Sequence, residues 1–383
     1  MNILMYDMSS FIQRDLIYYL ERAGHHCRNI RYKFEDKYTD AFFEKKFTGY
    51  LKEETYDFVM STNFYPLIAR LCYENNMKYL AWVYDSPIDS SDIRYFQYST
   101  SYIFLFDRSE AQKLDMAGGV HIYHLPLAVN TNRLDRIRPT AQNRKYYDAD
   151  IAFVGNFYEN ALQTIRSVQT ERDKGYLDAL VQTQLQIYGV NFLDSLIDSE
   201  LTDRINTRLA PYTDVQLNEK SILNTIEKQI TYIERTSLCN LLGQEHTLKY
   251  YSGRDMSDSI PHITWMGTAH YFSEMPLIFK CSRLNLNITL KGIRSGIPLR
   301  ALDILGSNAT LFSNYQPELM DYFIDGEDII LYESLEDAIA KVDYYLQHED
   351  LRLQLTRSGY AKAKEFFSYP DRITTMLKTA GLL

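Results

Sequence analysis

Residues 284–306 have the sequence LNLNITLKGIRSGIPLRALDILG, and the fold prediction starts from this stretch. Its first five residues, LNLNI, are apolar or carry amides, and they predict a strand. Gly292 and Gly296 predict a loop after the strand, and Pro298 suits the first turn of a helix after the loop. A strand, a loop and a helix in this order form the repeating unit of a doubly wound parallel sheet.

The first part of the chain shows the same alternation of strand and helix. Residues 2–6 form a short apolar run, and residues 11–23 carry apolar side chains on one helical stripe that Gly24 closes. Further strands are predicted at residues 58–60, 79–84, 103–106 and 122–125. Helical patterns lie between most of these strands, so the sequence predicts an α/β protein with parallel, doubly wound sheets.

Residues 126–148 interrupt this rhythm, because they contain prolines, several Asn and Arg, and no apolar periodicity. We expect this segment to lie where a first domain, residues 1–146, meets a second domain, residues 147–365. A helical insertion is predicted in the second domain over residues 161–242. Strands of the second sheet are predicted at residues 151–154, 248–251, 263–266, 284–288, 310–313 and 329–331. Residues 366–383 are predicted to form a C-terminal helix that packs back on the first domain.

The composition argues against several classes of protein. The chain has 383 residues, which suits two α/β domains, and its net charge of −9 without a long basic block argues against a nucleic-acid partner. No apolar run approaches the roughly 20 residues that span a bilayer. The first residues lack the basic start of a signal peptide, so we expect a cytoplasmic protein. The four cysteines lie far apart without a CxxC pair, which predicts neither a zinc site nor disulfides.

The turns after the predicted strands are the first candidates for a binding site, because ligands of an open parallel sheet bind outside the carboxyl ends of its strands. Gly155 and Asn156 follow the strand that opens the second sheet, and a glycine there lets the backbone approach a phosphate. Trp265 and Gly267 end another strand and suit packing against a nucleotide base. Ordinary tight turns and a buried tryptophan explain these residues about equally well.

The loop in the stretch quoted above gives the sharpest candidate site. Lys291, Arg300 and the first amides of the following helix are suited to neutralise a diphosphate. Ser295 and Gly296 lie in the same loop, where a glycine permits close contact with the backbone. Arg300 and Asp303 share a helix face, so Asp303 is placed to accept hydrogen bonds from both hydroxyls of a ribose. A local ion pair between Arg300 and Asp303 on a surface helix is the alternative.

Two further turns carry polar residues. Asn314 and Tyr315 follow a short strand and are expected to lie beside the loop described above, although a polar turn before a proline-started helix explains them equally well. In the first domain, Asp85 follows a strand and is placed to contact an acceptor or to act as a general base. A turn or helix-capping aspartate is the alternative for Asp85.

Residues 274–372 resemble the C-terminal domain of group-1-like glycosyltransferases of the CgeB-like type. The resemblance rests on EMP at 274–276, LNLN at 284–287, GIPLRALDILG at 296–306, NYQPEL at 314–319 and YPDR at 369–372. Two earlier segments resemble the N-terminal and hinge segments of the same family, namely WVYDSP at 82–87 and ADIAFVGN at 149–156. The resemblance covers nearly the whole chain except the helical insertion.

The resemblance implies the GT-B fold, in which two Rossmann-like domains face each other across a cleft. It implies that a nucleoside-diphosphate sugar, with a UDP-sugar as the expected donor, binds mainly to the C-terminal domain. The acceptor, a protein or a surface glycan, is then expected mainly on the N-terminal domain. A hexosyltransferase of this kind needs no metal or other cofactor, because a helix dipole and basic side chains stabilise the diphosphate. Asp85 and Arg300 are the candidate catalytic residues.

One departure from the family pattern leaves alternatives open. Classical retaining members carry Glu-x7-Glu, and here Asp303 keeps the second carboxylate while Ser295 replaces the first. The identity of the sugar and the stereochemical outcome therefore stay open. A non-catalytic nucleotide-binding or scaffold protein with the same fold is the main alternative, and a nucleotide-sugar epimerase is a weaker one.

Overall fold

The computed structural model describes residues 1–8, 10–158 and 161–383. These residues divide into two compact units. The first unit comprises Met1–Asn130, Ser295–Leu302 and Lys364–Leu383, and the second comprises Thr131–Arg294 and Asp303–Ala363. In the part of the chain that the structure describes, each unit contains one six-stranded sheet.

The first sheet has the strand order β2-β1-β3-β4-β5-β6, and all of its pairs are parallel. Its strands are β1 (Asn2–Asp7), β2 (His26–Arg31), β3 (Phe58–Thr62), β4 (Tyr79–Val83), β5 (Ser101–Leu105) and β6 (Ile122–His124). The register places Tyr6 of β1 beside Ile30 of β2 and Ser61 of β3. The strand order reverses at β1 and β3, which is where doubly wound sheets bind their ligands.

The second sheet has the order β12-β11-β10-β7-β8-β9 and is also parallel. Its strands are β7 (Ala149–Val154), β8 (Leu248–Tyr251), β9 (Thr264–Trp265), β10 (Ser282–Asn287), β11 (Leu311–Asn314) and β12 (Ile330–Tyr332). The two central strands, β7 and β10, pair with Ile151 beside Leu284 and Phe153 beside Leu286. The predicted α/β class and the predicted strands of both sheets are confirmed.

Helices connect the strands of each sheet. The early helices are α1 (Gln13–Arg22), α2 (Ala41–Glu53), α3 (Pro66–Glu74), α4 (Arg108–Met116), α5 (Thr131–Arg136) and α6 (Ala141–Tyr147). The insertion holds α7 (Ala161–Ser167), α8 (Glu171–Leu185), α9 (Ser199–Leu209) and α10 (Glu219–Glu245). The later helices are α11 (Met275–Cys281), α12 (Leu299–Gly306), α13 (Leu335–Gln347), α14 (Glu349–Phe366) and α15 (Tyr369–Thr379). Along the described residues, no helix combines the length and the apolar character that a membrane crossing requires.

The structure adds three details to the prediction. Strand β2, with the sequence HCRNIR, was not predicted, because it lies at a sheet edge and most of its side chains are partly or fully exposed. Residues 126–148, which are expected to lie where the two domains meet, contain the short helices α5 and α6. Residues 335–379 form three helices, which are separated at His348 and near Ser368.

The core of the first unit includes side chains of its C-terminal helix. Trp82 of β4 is fully buried, and its indole nitrogen donates to the carbonyl of Leu125 at 3.4 Å. The ring of Tyr369, at the start of α15, lies edge-on to Trp82 with centroids 5.9 Å apart and stacks on Tyr19 of α1 at 5.4 Å. Burial of such aromatic side chains contributes about 1.5–3 kcal/mol each, so α15 is an integral part of this unit.

Helix α10 takes part in two hydrophobic cores of the second unit. Its first half, with Ile222, Ile226 and Ile230, packs into a core formed by the insertion alone. Its second half, with Leu238 and Leu242, packs into the core beneath the second sheet. The same helix therefore holds the insertion against the sheet, and its polar residues in between are carried to the carboxyl ends of the strands.

Candidate functional site

A buried arginine holds the turns after β7 and β10. The Arg235 guanidinium donates to the carbonyl of Ile288 through Nε at 3.2 Å and to the carbonyl of Asn156 through one of its terminal nitrogens. Burial lowers the pKa of Arg235 from its ordinary value. A Cβ at Gly155 would lie 3.2 Å from the Phe153 ring, so the turn is tight as well as anchored. Gly155 and Asn156 thus form a fixed turn at the carboxyl end of β7.

Sequence reasoning missed Arg235. It lies in the middle of a 27-residue helix, where an isolated arginine resembles the many surface arginines of amphipathic helices. Its partners are backbone carbonyls, which leave no pattern in the sequence. The available signal was its position in the helical insertion that is predicted over residues 161–242.

Two hydrogen bonds join the turn after β8 to the end of β9, where Trp265 and Gly267 lie. The indole nitrogen of Trp265 donates to the carbonyl of Ser252 at 3.0 Å, and the Ser252 amide donates to the carbonyl of Gly267 at 2.9 Å. Gly267 has a φ of 79°, which favours glycine. Trp265 remains 40% exposed, so it is not the buried tryptophan of the alternative interpretation.

Asp303 lies on α12 and is almost fully buried. The hydroxyl of Tyr271 donates to its Oδ1 at 2.8 Å. Tyr271 in turn lies near the Arg133 guanidinium, which is 5.9 Å from the ring centroid. Sequence reasoning did not identify Tyr271, because its link to Asp303 spans 32 residues of chain. The carboxylate of Asp303 is therefore oriented by a side chain from the segment after β9.

Lys291 is engaged by helix α10. Its ammonium nitrogen lies 2.9 Å from Oε1 of Glu234, and its amide donates to Oγ1 of Thr231 at 3.0 Å. Arg294, three residues further on, pairs with Glu227 of the same helix at 2.6 Å. Glu227, Thr231 and Glu234 share one face of α10. Their side chains bind residues 291–294 both at charged side chains and at the amide of Lys291.

Ser295 and Gly296 belong to the first unit, where they pack on the turn after β5. The Ser295 hydroxyl donates to Oδ1 of Asp107 at 2.8 Å and accepts from the Ser109 amide at 3.1 Å. A Cβ at Gly296 would lie 2.8 Å from the Asp107 Cα and 2.8 Å from the Phe106 ring. The close approach that Gly296 permits is therefore to the backbone of this turn.

Arg300 is the second residue of α12 and is half-buried. The helix begins directly after Pro298, whose fixed φ suits the first turn of a helix. The start of a helix carries a partial positive charge of roughly half a unit, and the arginine adds a full one. The beginning of α12 consequently combines two sources of positive charge.

Asn314 and Tyr315 lie at the end of β11. The Oδ1 of Asn314 accepts from the Thr289 amide at 2.8 Å, which joins β11 to the loop after β10. The Tyr315 ring lies against Gly189 of the insertion, where an added Cβ would lie 2.6 Å from the ring. Tyr315 lines a narrow cavity of about 20 Å³ with Lys291, and also a wider cavity of about 490 Å³.

Asp85 lies in the first unit after β4. Its Oδ2 accepts from the Asn63 amide group at 2.7 Å, and Asn63 also accepts from the Asp85 amide at 3.2 Å. Asn63 adopts a φ of 82° in this arrangement. The carboxylate is exposed to solvent, yet enough protein surrounds it that burial raises its pKa above the ordinary aspartate value. A raised pKa suits a group that exchanges a proton with an acceptor.

The candidate residues therefore fall into two groups. The second unit holds Gly155, Asn156, Trp265, Gly267, Lys291, Asp303, Asn314 and Tyr315, and the first unit holds Asp85, Ser295, Gly296 and Arg300. Within residues 1–8, 10–158 and 161–383, no group of three or more His, Cys, Asp or Glu side chains is arranged to hold a metal ion. The assignment of these residues to a ligand remains a prediction.

Comparison with known proteins gives a family similarity and a fold. Residues 240–378 match a family model described as "Glycosyl transferase-like". Among curated protein sequences, a search found no significant match. The structure of HepE from Anabaena in complex with UDP-glucose is similar over 100% of both chains, with 9% identity and a TM-score of 0.57.

Two other solved structures give the same result. Sucrose-phosphate synthase from Thermosynechococcus elongatus has 11% identity and a TM-score of 0.56 over 98% of this chain and 97% of its own. A glycosyltransferase from Rickettsia africae has 11% identity and a TM-score of 0.56 over 99% and 98%. The CgeB-like subfamily is not tested by these matches and stays a prediction. The chain has the GT-B fold, with two parallel Rossmann-like sheets, and its residues 240–378 are similar to the glycosyl transferase-like family.

Proposed function

We propose that this chain is a glycosyltransferase that moves a hexosyl group from a UDP-sugar to a protein or glycan acceptor without a metal ion. The observation that carries the proposal is the family match over residues 240–378, which includes the loop after β10 and helix α12. The choice of UDP is supported by HepE, a structural neighbour that was solved with UDP-glucose.

The diphosphate is assigned to the start of α12. Arg300 and the first amides of the helix supply positive charge, and they stabilise the additional negative charge that develops on UDP as it leaves. A preorganised cation is effective in this role because it needs no reorientation during the reaction. Metal independence is part of the proposal, and a chelator tests it.

The nucleoside is assigned to the second unit. The exposed face of Trp265, fixed by its bond to Ser252, suits stacking against the uracil ring. Asp303 is the ribose ligand, since a carboxylate accepts hydrogen bonds from hydroxyl groups, as Asp303 does from Tyr271. The fixed turn at Gly155 and Asn156, after β7, is assigned to the same site and contacts the donor through its backbone.

The acceptor is assigned to the first unit, with Asp85 as its general base. A carboxylate with a raised pKa removes a proton from an attacking hydroxyl more effectively than an ordinary aspartate. Asn63 fixes the carboxylate through its side-chain amide. Cytoplasmic location stays a prediction.

A second function is favoured by one specific arrangement. Ser295 stands where the classical pattern has a glutamate, and its hydroxyl is bound to Asp107. Lys291 and Arg294 are paired with glutamates of α10 in the same loop. A non-catalytic protein that binds a nucleotide with the same fold would show these features too.

Thermal-shift screening against UDP, GDP, dTDP and their sugars, in buffer with EDTA, tests the proposal. A ligand at 100 times its Kd stabilises the native state by about 2.7 kcal/mol, so a true donor raises the melting temperature clearly. We expect UDP-sugars to raise the melting temperature. We also expect slow hydrolysis of the bound UDP-sugar, which is measured as UDP released. Stabilisation without hydrolysis or transfer would support the scaffold, and no stabilisation by any nucleotide would contradict both functions.

A further inference from the structure

Asp107 is a buried carboxylate at the carboxyl end of β5, and it collects hydrogen bonds from three separate segments. It caps α4, because its Oδ1 accepts from the Ser109 amide at 3.1 Å. The same oxygen accepts from the hydroxyl of Ser295 at 2.8 Å and from the Ser295 amide at 3.3 Å. Its Oδ2 accepts from the hydroxyl of Ser86, next to Asp85, at 3.4 Å. Asp107 itself is 1% exposed.

Capping a helix does not require this arrangement. Asp40 caps α2 in the same unit, and it accepts from the amides of Phe43 and Glu35 and from the Tyr32 hydroxyl. All of those donors lie within eight residues of Asp40, as is usual for a local cap. The donors on Ser295 lie 188 residues from Asp107 along the chain. Asp107 therefore does more than start a helix.

The bonds to Ser295 restrict the chain just before α12. Both polar groups of Ser295 that can donate, its amide and its hydroxyl, point to the same carboxylate. The next residue, Gly296, lies so close to Asp107 that an added Cβ would be 2.8 Å from its Cα. Pro298 then has a fixed φ. Residues 295–298 consequently have little freedom, and they set the direction in which the first turn of α12 and Arg300 extend.

We infer that Asp107 is a positioning residue of the donor site. It holds Ser295, and through Ser295 it fixes the start of α12 in the orientation that binds the diphosphate of the donor. This inference rests on the proposed function, because the proposed function assigns the diphosphate of the donor to the start of α12. Asp107 acts through Ser295 and the backbone next to it, and we assign it no contact with the donor.

The test compares Asp107→Ala, Ser295→Ala and the double variant with Asp40→Ala as a matched control. Asp107→Ala and Asp40→Ala each remove a buried capping aspartate, so both are expected to lower the melting temperature. Calorimetry with UDP is the decisive readout. We expect Asp107→Ala and Ser295→Ala to weaken UDP binding by about tenfold, Asp40→Ala to leave it unchanged, and the double variant to bind no more weakly than Asp107→Ala.

Kinetics and a conservative variant provide a second readout. With a UDP-sugar, the KM for the donor should rise in Asp107→Ala, while the KM for the acceptor stays the same. Asp107→Asn keeps an oxygen that accepts from Ser109 and Ser295, so it should recover most of the lost affinity. Because Asp107→Asn and Ser295→Ala are mild changes, they keep the test valid even if Asp107→Ala does not fold.

The results that would contradict the positioning role differ from those that would contradict the proposed function. If Asp107→Ala binds UDP as tightly as Asp40→Ala, or if the effects of Asp107→Ala and Ser295→Ala add in the double variant, the positioning role is wrong. The positioning role is also wrong if Asp107→Asn binds UDP as weakly as Asp107→Ala does. If neither the unmodified protein nor Asp40→Ala binds UDP or any nucleotide sugar, the proposed function fails, and the positioning role fails with it.

Discussion

The ammonium nitrogen of Lys291 lies 2.9 Å from Oε1 of Glu234, and the two side chains are only 12% and 9% exposed. Glu234 belongs to α10 of the insertion, whereas Lys291 belongs to the loop after β10. The ion pair joins the insertion to the loop that leads into α12. It also balances the charge of Lys291 before a ligand binds.

Loss of Lys291 alone is expected to destabilise the protein. Lys291→Met leaves the Glu234 carboxylate buried without its cation, which costs about 3–5 kcal/mol. The double variant Lys291→Met and Glu234→Gln should recover most of this loss and bind UDP nearly as well as the unmodified protein. Urea denaturation measures the free energy of unfolding of each variant.

The matched control for this prediction is Lys174→Met. Lys174 pairs with Glu171 at 2.8 Å, but the Glu171 side chain is 91% exposed, so the pair is worth less than about 1 kcal/mol. If Lys291→Met costs no more than Lys174→Met, the pair with Glu234 has no structural role. Weak UDP binding by the stable double variant would instead make Lys291 a ligand of the diphosphate.

Gly296 is expected to tolerate no side chain. In Gly296→Ala the new Cβ meets the backbone of Asp107 at 2.8 Å, and backbone cannot move aside as a flexible side chain does. We expect a loss of about 1–3 kcal/mol in the free energy of unfolding and weaker UDP binding. Gly175→Ala is the control, since α8 leaves open space there and alanine should stabilise the helix by about 0.5–1 kcal/mol. Equal stability of the two variants would contradict the close packing at Gly296.

Asp85 is expected to set a pH dependence. Burial raises its pKa, so the acid limb of the kcat/KM profile should lie above the ordinary aspartate range and disappear in Asp85→Asn. A raised folded-state pKa gives stability that is present at low pH and is lost as pH rises through that pKa. The difference in melting temperature, Asp85→Asn minus unmodified protein, should therefore become more positive as pH rises through the folded-state pKa of Asp85.

Asp36 provides the control of opposite sign. Hydrogen bonds from the amides of Tyr38 and Thr39 lower its pKa. A lowered pKa gives stability that is present at higher pH and is lost as pH falls, so the same difference for Asp36→Asn should become more negative as pH rises. If the acid limb persists in Asp85→Asn, another group is the base.

Trp265 is expected to report nucleotide binding by fluorescence. The chain has two tryptophans, and Trp82 is fully buried in the first unit while Trp265 is 40% exposed. A uracil ring stacked on Trp265 should quench its emission as UDP is added. In Trp265→Phe the change should vanish and UDP should still bind, more weakly. A full fluorescence change in Trp265→Phe would place the base elsewhere.

Much of the fold follows from local sequence patterns. Strand β4 and residues 151–154 of β7 are continuous, buried apolar runs, and such runs are the clearest signal that a parallel sheet gives. Gly24, at the end of α1, adopts a φ of 86° and marks the helix end as expected. Strand β2 was missed because an edge strand is held by backbone bonds and needs few apolar side chains.

The candidate site was predicted less completely than the fold. Its loops were found because each follows an apolar strand, but the partners that hold them come from distant segments. Asp107 follows β5 and its side chain caps the next helix, as Asp85 follows β4, so a consistent search of the turns after strands would have found it. Arg235 and Glu234 gave no such signal, because only packing of α10 against the second sheet reveals what they bind.

Calorimetric titration of UDP and of uridine into the protein, in buffer with EDTA, tests the central claim most directly. Arg300→Ala is compared with Arg283→Ala. Arg283 is a suitable control because it lies at the opposite end of β10, where it pairs with Asp150 and its side chain is 56% exposed. We predict that UDP binds at least about tenfold more tightly than uridine, and that Arg300→Ala removes this advantage while Arg283→Ala keeps it. Equal affinity for UDP and uridine, or an unchanged advantage in Arg300→Ala, would contradict a diphosphate site at the start of α12.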